Sequence, residues 1–305
     1  MQKWTTPRSS DLFSGTRVQL EYADALRAYA ALAERDDDSI HERGRSVLLV
    51  HGRPTARAVL FLHGLTASPM QCDALARRLH ASGDSVIVPR LPGHGARDRL
   101  TTQLRDVPAR HLIDAAYEGL AIARGLGTSV LVAGFSLGGL LGAWLAQHEP
   151  VGHFVAIAPF LGVVALPGAA TAALTATLRT LPNAFLWWSP IKRERLLPDH
   201  GYARFPTRAI AEALGIATQL HALARTTAPA TRRISIVTNE SETAVNNGAA
   251  RTLAAAWRAH DGIAVELHRM TGLPPSHDII ESMRPGAVAR RAYRTLLPIL
   301  HDTRS

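Results

Sequence analysis

The sequence predicts an α/β domain with a mostly parallel central sheet. Val130 to Ala133 form a short apolar run without alternation, which is typical of a strand buried on both faces of a parallel sheet. Similar strand-like runs alternate along the chain with segments of helical period, as expected for βα units. Because α/β folds of about this length usually form one domain, we expect a single domain over residues 1–305.

The predicted elements follow one another regularly after an N-terminal extension. Residues 1–44 are expected to contain an irregular polar arm and one extra helix, which begins at Glu21. The predicted strands span residues 46–51, 58–62, 85–89, 130–133, 154–158, 233–238 and 263–267. The predicted helices span residues 68–83, 106–124, 137–147, 208–225, 248–259 and 285–301. Ser68 is expected to cap its helix, with Pro69 in the first turn and Gly83 after the end. Residues 161–205 interrupt this alternation of strands and helices.

The segment Gly134-Phe135-Ser136-Leu137-Gly138 joins an apolar run to a segment of helical period. A serine at the tip of such a tight turn has strained backbone and an exposed hydroxyl, and side chains at Gly134 and Gly138 would collide with the strand and the helix. The alternative is a glycine-rich turn whose serine has no catalytic role, since it would have the same sequence pattern. The position between a strand and a helix favours a nucleophile at Ser136.

With these motifs the chain resembles the α/β-hydrolases, and within them the carboxylesterase and monoacylglycerol-lipase branch. The resemblance covers roughly residues 45 to 300. It rests on four motifs in the family's order: His63-Gly64, Pro92-Gly93-His94-Gly95, the turn around Ser136, and Ser276-His277-Asp278. It implies the α/β-hydrolase fold, a sheet with helices on both faces, and a lid insertion over residues 161–205, after the strand that follows the nucleophile turn.

The resemblance also implies a catalytic triad. Ser136 is the implied nucleophile, and His277, in the loop after the last strand, is the implied base. The family usually has an aspartate as the acid, with a small apolar residue three positions later. Glu242 with Val245 fits this spacing and is our candidate, although glutamate departs from the commoner pattern. Glu240 is the rival candidate, and either glutamate could instead be a solvated acid on a loop.

Two backbone groups are implied as the oxyanion hole. They are the N–H groups of Leu65 and Leu137, in the loop after an early strand and directly after the nucleophile. His63 and His94 lie in the neighbouring family motifs. We expect the His63 ring to make a local hydrogen bond that holds its loop, in preference to transferring a proton, and we expect His94 to be structural and not catalytic.

Three aromatic residues of the insertion are candidates for substrate binding. Phe185, Trp187 and Trp188 either line an acyl pocket or bury the lid on the body of the domain, and both alternatives stay open. Asp278 either steadies the loop of His277 or caps the following helix.

Composition limits the remaining functional classes. The formal charge is +9, but lysine occurs only at Lys3 and Lys192 and the arginines are scattered among acidic residues, so we expect no nucleic-acid partner. Cys72 is the single cysteine, which permits no internal disulfide, and no paired spacing of metal ligands is present. We therefore expect neither a metal nor an organic cofactor. Without an apolar leader or a run of about 18 apolar residues, we expect a cytoplasmic protein with no stable membrane anchoring.

The expected activity is the hydrolysis of small esters with an apolar acyl group through an acyl-enzyme. Thioesterases, lactonases and peptidases use the same triad, so the fold does not choose between them. A non-catalytic binding protein on this scaffold is the alternative outside enzymes. A protein that binds anionic membrane surfaces is a further alternative, since the lid is apolar and the net charge positive. The oligomeric state stays open.

Overall fold

A seven-stranded, mostly parallel sheet forms the centre of the computed structural model, which describes residues 20–163, 168–192, 198–283 and 288–303. The predicted N-terminal arm lies outside the described residues, apart from its last position. In chain order the strands are β1 (Val47–Leu49), β2 (Thr55–Leu62), β3 (Ser85–Val88), β4 (Gly127–Phe135), β5 (His153–Ile157), β6 (Phe185–Trp187), β7 (Arg204–Pro206), β8 (Arg233–Asn239) and β9 (Ala264–Met270).

The sheet has the order β1-β3-β2-β4-β5-β8-β9, and β1 is its antiparallel strand. The other pairs are parallel, so the carboxyl ends of β2, β4, β8 and β9 lie at one edge. β2 and β4 are neighbours, with Leu62 opposite Gly134. The loops that follow these two strands are therefore adjacent, which brings the predicted oxyanion loop next to the predicted nucleophile.

Helices cover the sheet on both faces. In chain order they are α1 (Tyr22–Ala33), α2 (Asp73–Ala81), α3 (Ala109–Leu126), α4 (Leu137–His148), α5 (Gly168–Thr180), α6 (Thr207–Thr226), α7 (Asn247–Arg258) and α8 (Val288–His301). α2 contacts α8, while α3, α4, α6 and α7 form a second continuous group. Between the two groups, core residues such as Leu60, Val132 and Phe154 are fully buried. This burial explains why the buried parts of β2, β4 and β5 are apolar without alternation.

The predicted cap at Ser68 is only half right. A short 3₁₀ turn, Pro69–Cys72, precedes α2, and Ser68 stands at its N-cap position without a side-chain capping bond. Instead, the Ser68 hydroxyl donates to Arg43 O over 3.2 Å and lies 2.9 Å from His200 Nδ1. The Ser68 hydroxyl therefore forms tertiary contacts and not the helix cap that the local sequence predicts.

The segment between β5 and α6 contains elements that the sequence pattern did not predict. α5 and an antiparallel hairpin of β6 and β7 occupy the described part of residues 161–205. Positions 164–167 and 193–197 of the predicted lid lie outside the described residues. None of the helices in the described ranges combines the length and apolar character that a membrane span needs.

Candidate active site

Ser136 stands in a strained turn between β4 and α4. Its φ is 53° and its ψ is −113°, a combination that residues other than glycine rarely adopt. Neighbouring backbone holds it there: Ser136 N–H donates to Ile157 O over 3.0 Å, and Ser136 O accepts from Leu140 and Phe160 N–H, each over 3.0 Å. The strain is thus maintained by the sheet on one side and the helix on the other.

The glycines around Ser136 are required by close backbone approach. A Cβ at position 138 would lie 2.0 Å from Leu62 O, and one at position 134 would lie 2.2 Å from Gly138 O. Both distances are far below van der Waals contact. The predicted collision of side chains at these two positions is confirmed.

His277 lies between the serine and a carboxylate. Its Nε2 is 2.8 Å from Ser136 Oγ, and its Nδ1 is 3.0 Å from Glu242 Oε2. A ring that carries its proton on Nδ1 donates to the carboxylate and accepts from the serine hydroxyl at Nε2. A serine, an imidazole and a carboxylate in this order have the geometry of an activated nucleophile.

Glu242 is held as a buried carboxylate. Its side chain is 2% exposed, and Oε1 accepts the backbone N–H groups of Thr243 and Ala244, each over 2.7 Å. Burial by itself raises the pKa of Glu242, but the hydrogen bond and charge of His277, together with these amides, outweigh burial and hold the pKa below 4.5. The group facing His277 is therefore an anion.

The Glu240 side chain contacts an arginine and not His277. Its carboxylate makes a two-pronged contact with the Arg269 guanidinium, at 2.9 and 2.8 Å, on the exposed side of β9. Of the two candidate acids, the structure brings Glu242 to His277 and pairs Glu240 with arginine.

The two expected oxyanion donors lie on the two sides of the nucleophile turn. Leu137 is the first residue of α4, and Leu65 belongs to the loop of residues 63–67, which we call the oxyanion loop. A Cβ at Gly138 would also come within 2.8 Å of His63 O, so this loop touches the start of α4. Within the described part of the chain, neither the Leu65 nor the Leu137 N–H has a hydrogen-bond acceptor.

His63 fixes the peptide that carries the Leu65 N–H. Its Nε2 accepts from Leu91 N–H over 3.1 Å, so its proton is on Nδ1, which donates to Gly64 O over 3.0 Å. Because the peptide is trans, the Leu65 N–H points away from that anchored carbonyl. Burial, followed by the nearby His94, lowers the pKa of His63 well below 6.5. A neutral ring that holds its loop agrees with the expectation from the sequence.

His94 also makes a local contact. Its Nδ1 is 3.0 Å from Pro92 O, and burial lowers the pKa of the ring to about 4. The ring packs edge-on against His63, at 5.1 Å between centroids. It therefore supports the floor of the oxyanion loop.

Gln71, which was not identified from the sequence, connects the oxyanion loop to the loop of His277. Gln71 Oε1 accepts from Gly64 N–H over 2.8 Å, and its Nε2 donates to Asp278 Oδ2 over 2.8 Å. Asp278 Oδ1 accepts from two backbone N–H groups of its own loop. Asp278 therefore steadies the loop of His277. No local pattern marks Gln71, because its partner is 207 positions away.

Two further residues support His277, one through the preceding residue and one through its ring. Asn239, at the end of β8, donates from Nδ2 to Ser276 O over 3.0 Å. The Phe135 ring lies 5.0 Å from the His277 ring, between centroids. Phe135 occupies a variable position of the nucleophile motif, so its contact with the base was not visible in the sequence.

The three candidate substrate-binding aromatics have different surroundings. Trp188 donates its indole N–H to Thr66 Oγ1 over 2.8 Å and packs on Phe205, at 4.2 Å between ring centroids. The Arg204 guanidinium lies 4.6 Å above the Phe185 ring. Trp187 is half-buried in β6. Trp188 therefore touches the oxyanion loop, whereas Phe185 makes its contact within the hairpin.

Among the described residues, no group of three or more histidines, cysteines, aspartates and glutamates could hold a metal ion.

Comparison with known proteins gives a consistent result. A sequence model of the "Alpha/beta hydrolase family" matches residues 59–291. The thermostable monoacylglycerol lipase of Bacillus sp. (strain H-257) is 32% identical over 114 residues, which span 37% of this chain and 43% of that lipase. The chain thus aligns with less than half of that curated relative.

Solved structures share the fold over most of the chain. One, from work on the metagenome-derived lipolytic enzymes LipS and LipT, has a TM-score of 0.65 at 20% identity and covers 85% of this chain and 98% of that chain. Another is a soluble variant of monoglyceride lipase from Saccharomyces cerevisiae in complex with a substrate analog. It has a TM-score of 0.65 at 12% identity and covers 86% of this chain and 91% of that chain.

Proposed function

Since this chain belongs to the alpha/beta hydrolase family, we propose that it is a serine hydrolase that cleaves carboxylic esters, as a carboxylesterase or a monoacylglycerol lipase. The observation that carries the proposal is the hydrogen-bonded series from Ser136 through His277 to Glu242, with 2.8 and 3.0 Å between the reacting groups. Binding proteins on such scaffolds normally lose one member of this series. The lipases among the similar proteins support an ester as the substrate.

The proposed reaction begins with attack on the ester carbonyl. His277 Nε2 takes the proton of Ser136 Oγ as the oxygen bonds to the carbonyl carbon, and Glu242 stabilises the imidazolium that forms. The N–H groups of Leu65 and Leu137 bind the oxyanion of the tetrahedral intermediate. His277 then protonates the leaving alcohol, which departs and leaves an acyl-enzyme.

Water completes the proposed cycle. It gives a proton to His277 Nε2 and attacks the acyl carbon, and a second tetrahedral intermediate forms in the same oxyanion hole. When it collapses, Ser136 Oγ takes the proton back and the carboxylic acid leaves. Each proton moves between groups that this chain supplies.

We further propose that residues 161–205 act as a lid, within a single domain, and favour an apolar acyl group. Three apolar side chains of the described part of this segment are strongly exposed: Leu181 (52%), Leu186 (49%) and Ile191 (95%). Phe185, Trp187 and Trp188 belong to the same segment and are the candidate contacts of the acyl chain.

Ser136→Ala tests the proposed nucleophile. We expect the variant to lose on the order of 10⁶-fold in kcat, as when the serine of other triads is removed, because no other group can form the acyl-enzyme. Hydrolysis of 4-nitrophenyl esters of increasing chain length, and of monoacylglycerols, gives the rates and the preferred acyl group. Intact-mass spectrometry after treatment with a fluorophosphonate should find one adduct on the wild type and none on Ser136→Ala.

Ser129→Ala is the matched control, because Ser129 lies on the same strand β4 and is exposed. It should keep the wild-type rate and the adduct. An adduct on folded Ser136→Ala, or near-normal hydrolysis by it, would contradict the assignment. A folded wild type without adduct or hydrolysis would favour the binding-protein alternative, and faster turnover of thioesters, lactones or peptides would change the substrate class.

A further inference from the structure

Thr66 occupies a backbone conformation that β-branched residues rarely adopt. Its φ is 63°, in the left-handed region, and the residue is 3% exposed. Residues persist in such conformations only where surrounding contacts hold them, and these positions concentrate at functional sites. Thr66 directly follows Leu65, so the contacts that hold Thr66 also shape the oxyanion loop.

Two hydrogen bonds from the insertion hold Thr66. The indole N–H of Trp188 donates to Thr66 Oγ1 over 2.8 Å, and the backbone N–H of Tyr202 donates to Thr66 O over 2.7 Å. Trp188 directly follows β6 and Tyr202 comes shortly before β7. These two ends of the hairpin are joined where Trp188 N–H donates to Ala203 O over 3.1 Å. Side chain and backbone of Thr66 are thus fixed by one element.

The Thr66 hydroxyl passes this contact on to Leu65. It accepts from Trp188 and donates to Leu65 O over 2.6 Å. The peptide after Leu65 is therefore anchored by Thr66, while the peptide before Leu65 is anchored by His63 at the Gly64 carbonyl. The direction of the Leu65 N–H depends on both anchors, since it lies between them.

The segment before β7 also contacts the rest of the domain. The Tyr202 hydroxyl donates to Gly93 O over 3.0 Å and accepts from Ala96 N–H over 2.8 Å. His200 Nε2 lies 3.1 Å from Glu281 Oε2, in the loop beyond His277, and both side chains are 2% exposed. These contacts fix the hairpin, and with it Trp188, relative to the oxyanion loop and the loop of His277.

We propose that Trp188 is a positioning residue for the oxyanion loop, so that the insertion controls the rate of the chemical step in addition to any contact with substrate. This inference rests on the proposed function, because the direction of the Leu65 N–H matters only where an oxyanion forms. Loss of the Trp188 indole N–H should loosen the donor and leave the binding of the ground-state ester nearly unchanged.

Trp188→Phe and Thr66→Val remove the same hydrogen bond from its two sides, and Thr66→Val also removes the bond from Thr66 Oγ1 to Leu65 O. Phenylalanine keeps the ring against Phe205, and valine keeps the shape of threonine. We expect each variant to lower kcat by about 10-fold to 100-fold, less than the 10²-fold to 10³-fold loss of an entire oxyanion donor, with KM within about twofold. Because both act through the Thr66 hydroxyl, the double variant should be little slower than Thr66→Val alone. Thr66→Ser, which keeps the hydroxyl, should retain most of the activity.

A trifluoromethyl ketone, which forms an oxyanion on the serine, gives a second measurement. Its inhibition constant should rise in Trp188→Phe in proportion to the loss in kcat/KM, which a change in hairpin packing alone would not produce. Trp144→Phe is the matched control, since this indole lies on α4 against His148, away from the hairpin. It should leave kcat and the inhibition constant unchanged. Circular dichroism and the thermal midpoint verify that each variant is folded.

Several results would overturn the proposal. If Trp188→Phe keeps kcat within twofold, the indole only packs the hairpin. If KM rises while kcat is unchanged, Trp188 lines the substrate pocket instead. Should Trp188→Phe not fold, an unchanged kcat in Thr66→Val would by itself overturn the proposal. A failure of the serine-hydrolase proposal itself would be recognised separately, because the wild type would then show no hydrolysis and no fluorophosphonate adduct.

Discussion

Among single residues, Glu242 illustrates how a buried charge is kept ionised. One carboxylate oxygen faces His277 and the other accepts backbone N–H groups of its own loop, so the carboxylate is compensated on both sides. Glutamate has one methylene more than aspartate, and here that length is used to fold the side chain back over residues 243–245. A departure from the family's usual aspartate is therefore compatible with the same contact to the base.

Glu242→Gln tests this assignment. The amide keeps the shape but removes the charge that stabilises a protonated His277, so we expect kcat to fall by about 10²-fold to 10⁴-fold with little change in KM. Steady-state hydrolysis of a 4-nitrophenyl ester measures both constants. Glu240→Gln is the control: its side chain pairs with Arg269 on the surface, and it should stay within about twofold of the wild type. Equal losses in both variants would refute the choice of Glu242.

Among the elements, the junction of β4 and α4 depends on the approach of α4 to β2. Parallel pairing places Leu62 beside Gly134, and the first turn of α4 then passes directly over the Leu62 carbonyl. A helix can start this close to a strand only if its residue at the crossing has no side chain. Gly138 meets that requirement.

Gly138→Ala should therefore be strongly destabilising. The new Cβ would lie 2.0 Å from a backbone oxygen that cannot move without disturbing the sheet, and we expect a loss of about 3 to 5 kcal/mol in the free energy of unfolding, or failure to fold. Urea unfolding followed by circular dichroism measures the change. Gly162→Ala, whose Cβ would make ordinary contacts at 3.4 and 3.5 Å, should change stability by less than about 1 kcal/mol. Equal losses of unfolding free energy in the two variants would contradict the prediction, because the backbone at the junction of β4 and α4 would then move to accept the new Cβ.

The hairpin of β6 and β7 represents a different kind of element. Each strand has three residues, which is too short for a recognisable alternation. Tertiary contacts hold it instead, including those of Trp188 with Thr66 and of Tyr202 with Gly93. This explains why no strand was predicted in this segment from the sequence.

At the scale of the whole molecule, several buried histidines are kept neutral. Burial lowers the pKa of His94 to about 4, and burial together with the charge of Arg233 lowers the pKa of His153 to about 3. Burial likewise lowers the pKa of His63 well below 6.5. In the unfolded chain each of these rings would titrate near its ordinary pKa of about 6.5. Between these values the unfolded state binds protons that the native state does not.

Stability should therefore decrease as the pH is lowered. The contribution of these histidines is fully present above pH 6.5 and is lost progressively toward pH 4, because protonation favours the unfolded chain. Each neutral histidine should add up to about 1.4 kcal/mol per pH unit to the slope of the unfolding free energy. Urea unfolding at pH 7, 6 and 5 measures that slope, and His153→Gln should reduce it by about one proton. His148→Gln, at an exposed histidine of α4, should keep the wild-type slope, and a slope near zero in the wild type would contradict the prediction.

Much of the fold was predictable because it depends on local pattern. Apolar runs marked the strands of the central sheet, helical periodicity marked the helices around it, and glycines marked the turn at Ser136, since each of these signals lies within a few consecutive residues. The α/β-hydrolase resemblance is confirmed by the match to residues 59–291. The roles of Ser136, Glu242 and His277 and the boundaries of the lid stay predictions.

The sequence alone thus determined the order of the elements outside residues 161–206 and placed a serine and a histidine at the ends of strands that meet at one edge. Tertiary structure brought Glu242 to His277 and paired Glu240 with Arg269, placed the Ser68 hydroxyl beside His200, and joined Gln71 to Asp278 and Trp188 to Thr66. The last two pairs are 207 and 122 positions apart. Local propensity acts over a turn or a strand, whereas such contacts exist only after the chain has closed long loops and paid their entropy. The choice of partner for a polar side chain is therefore a property of the folded molecule.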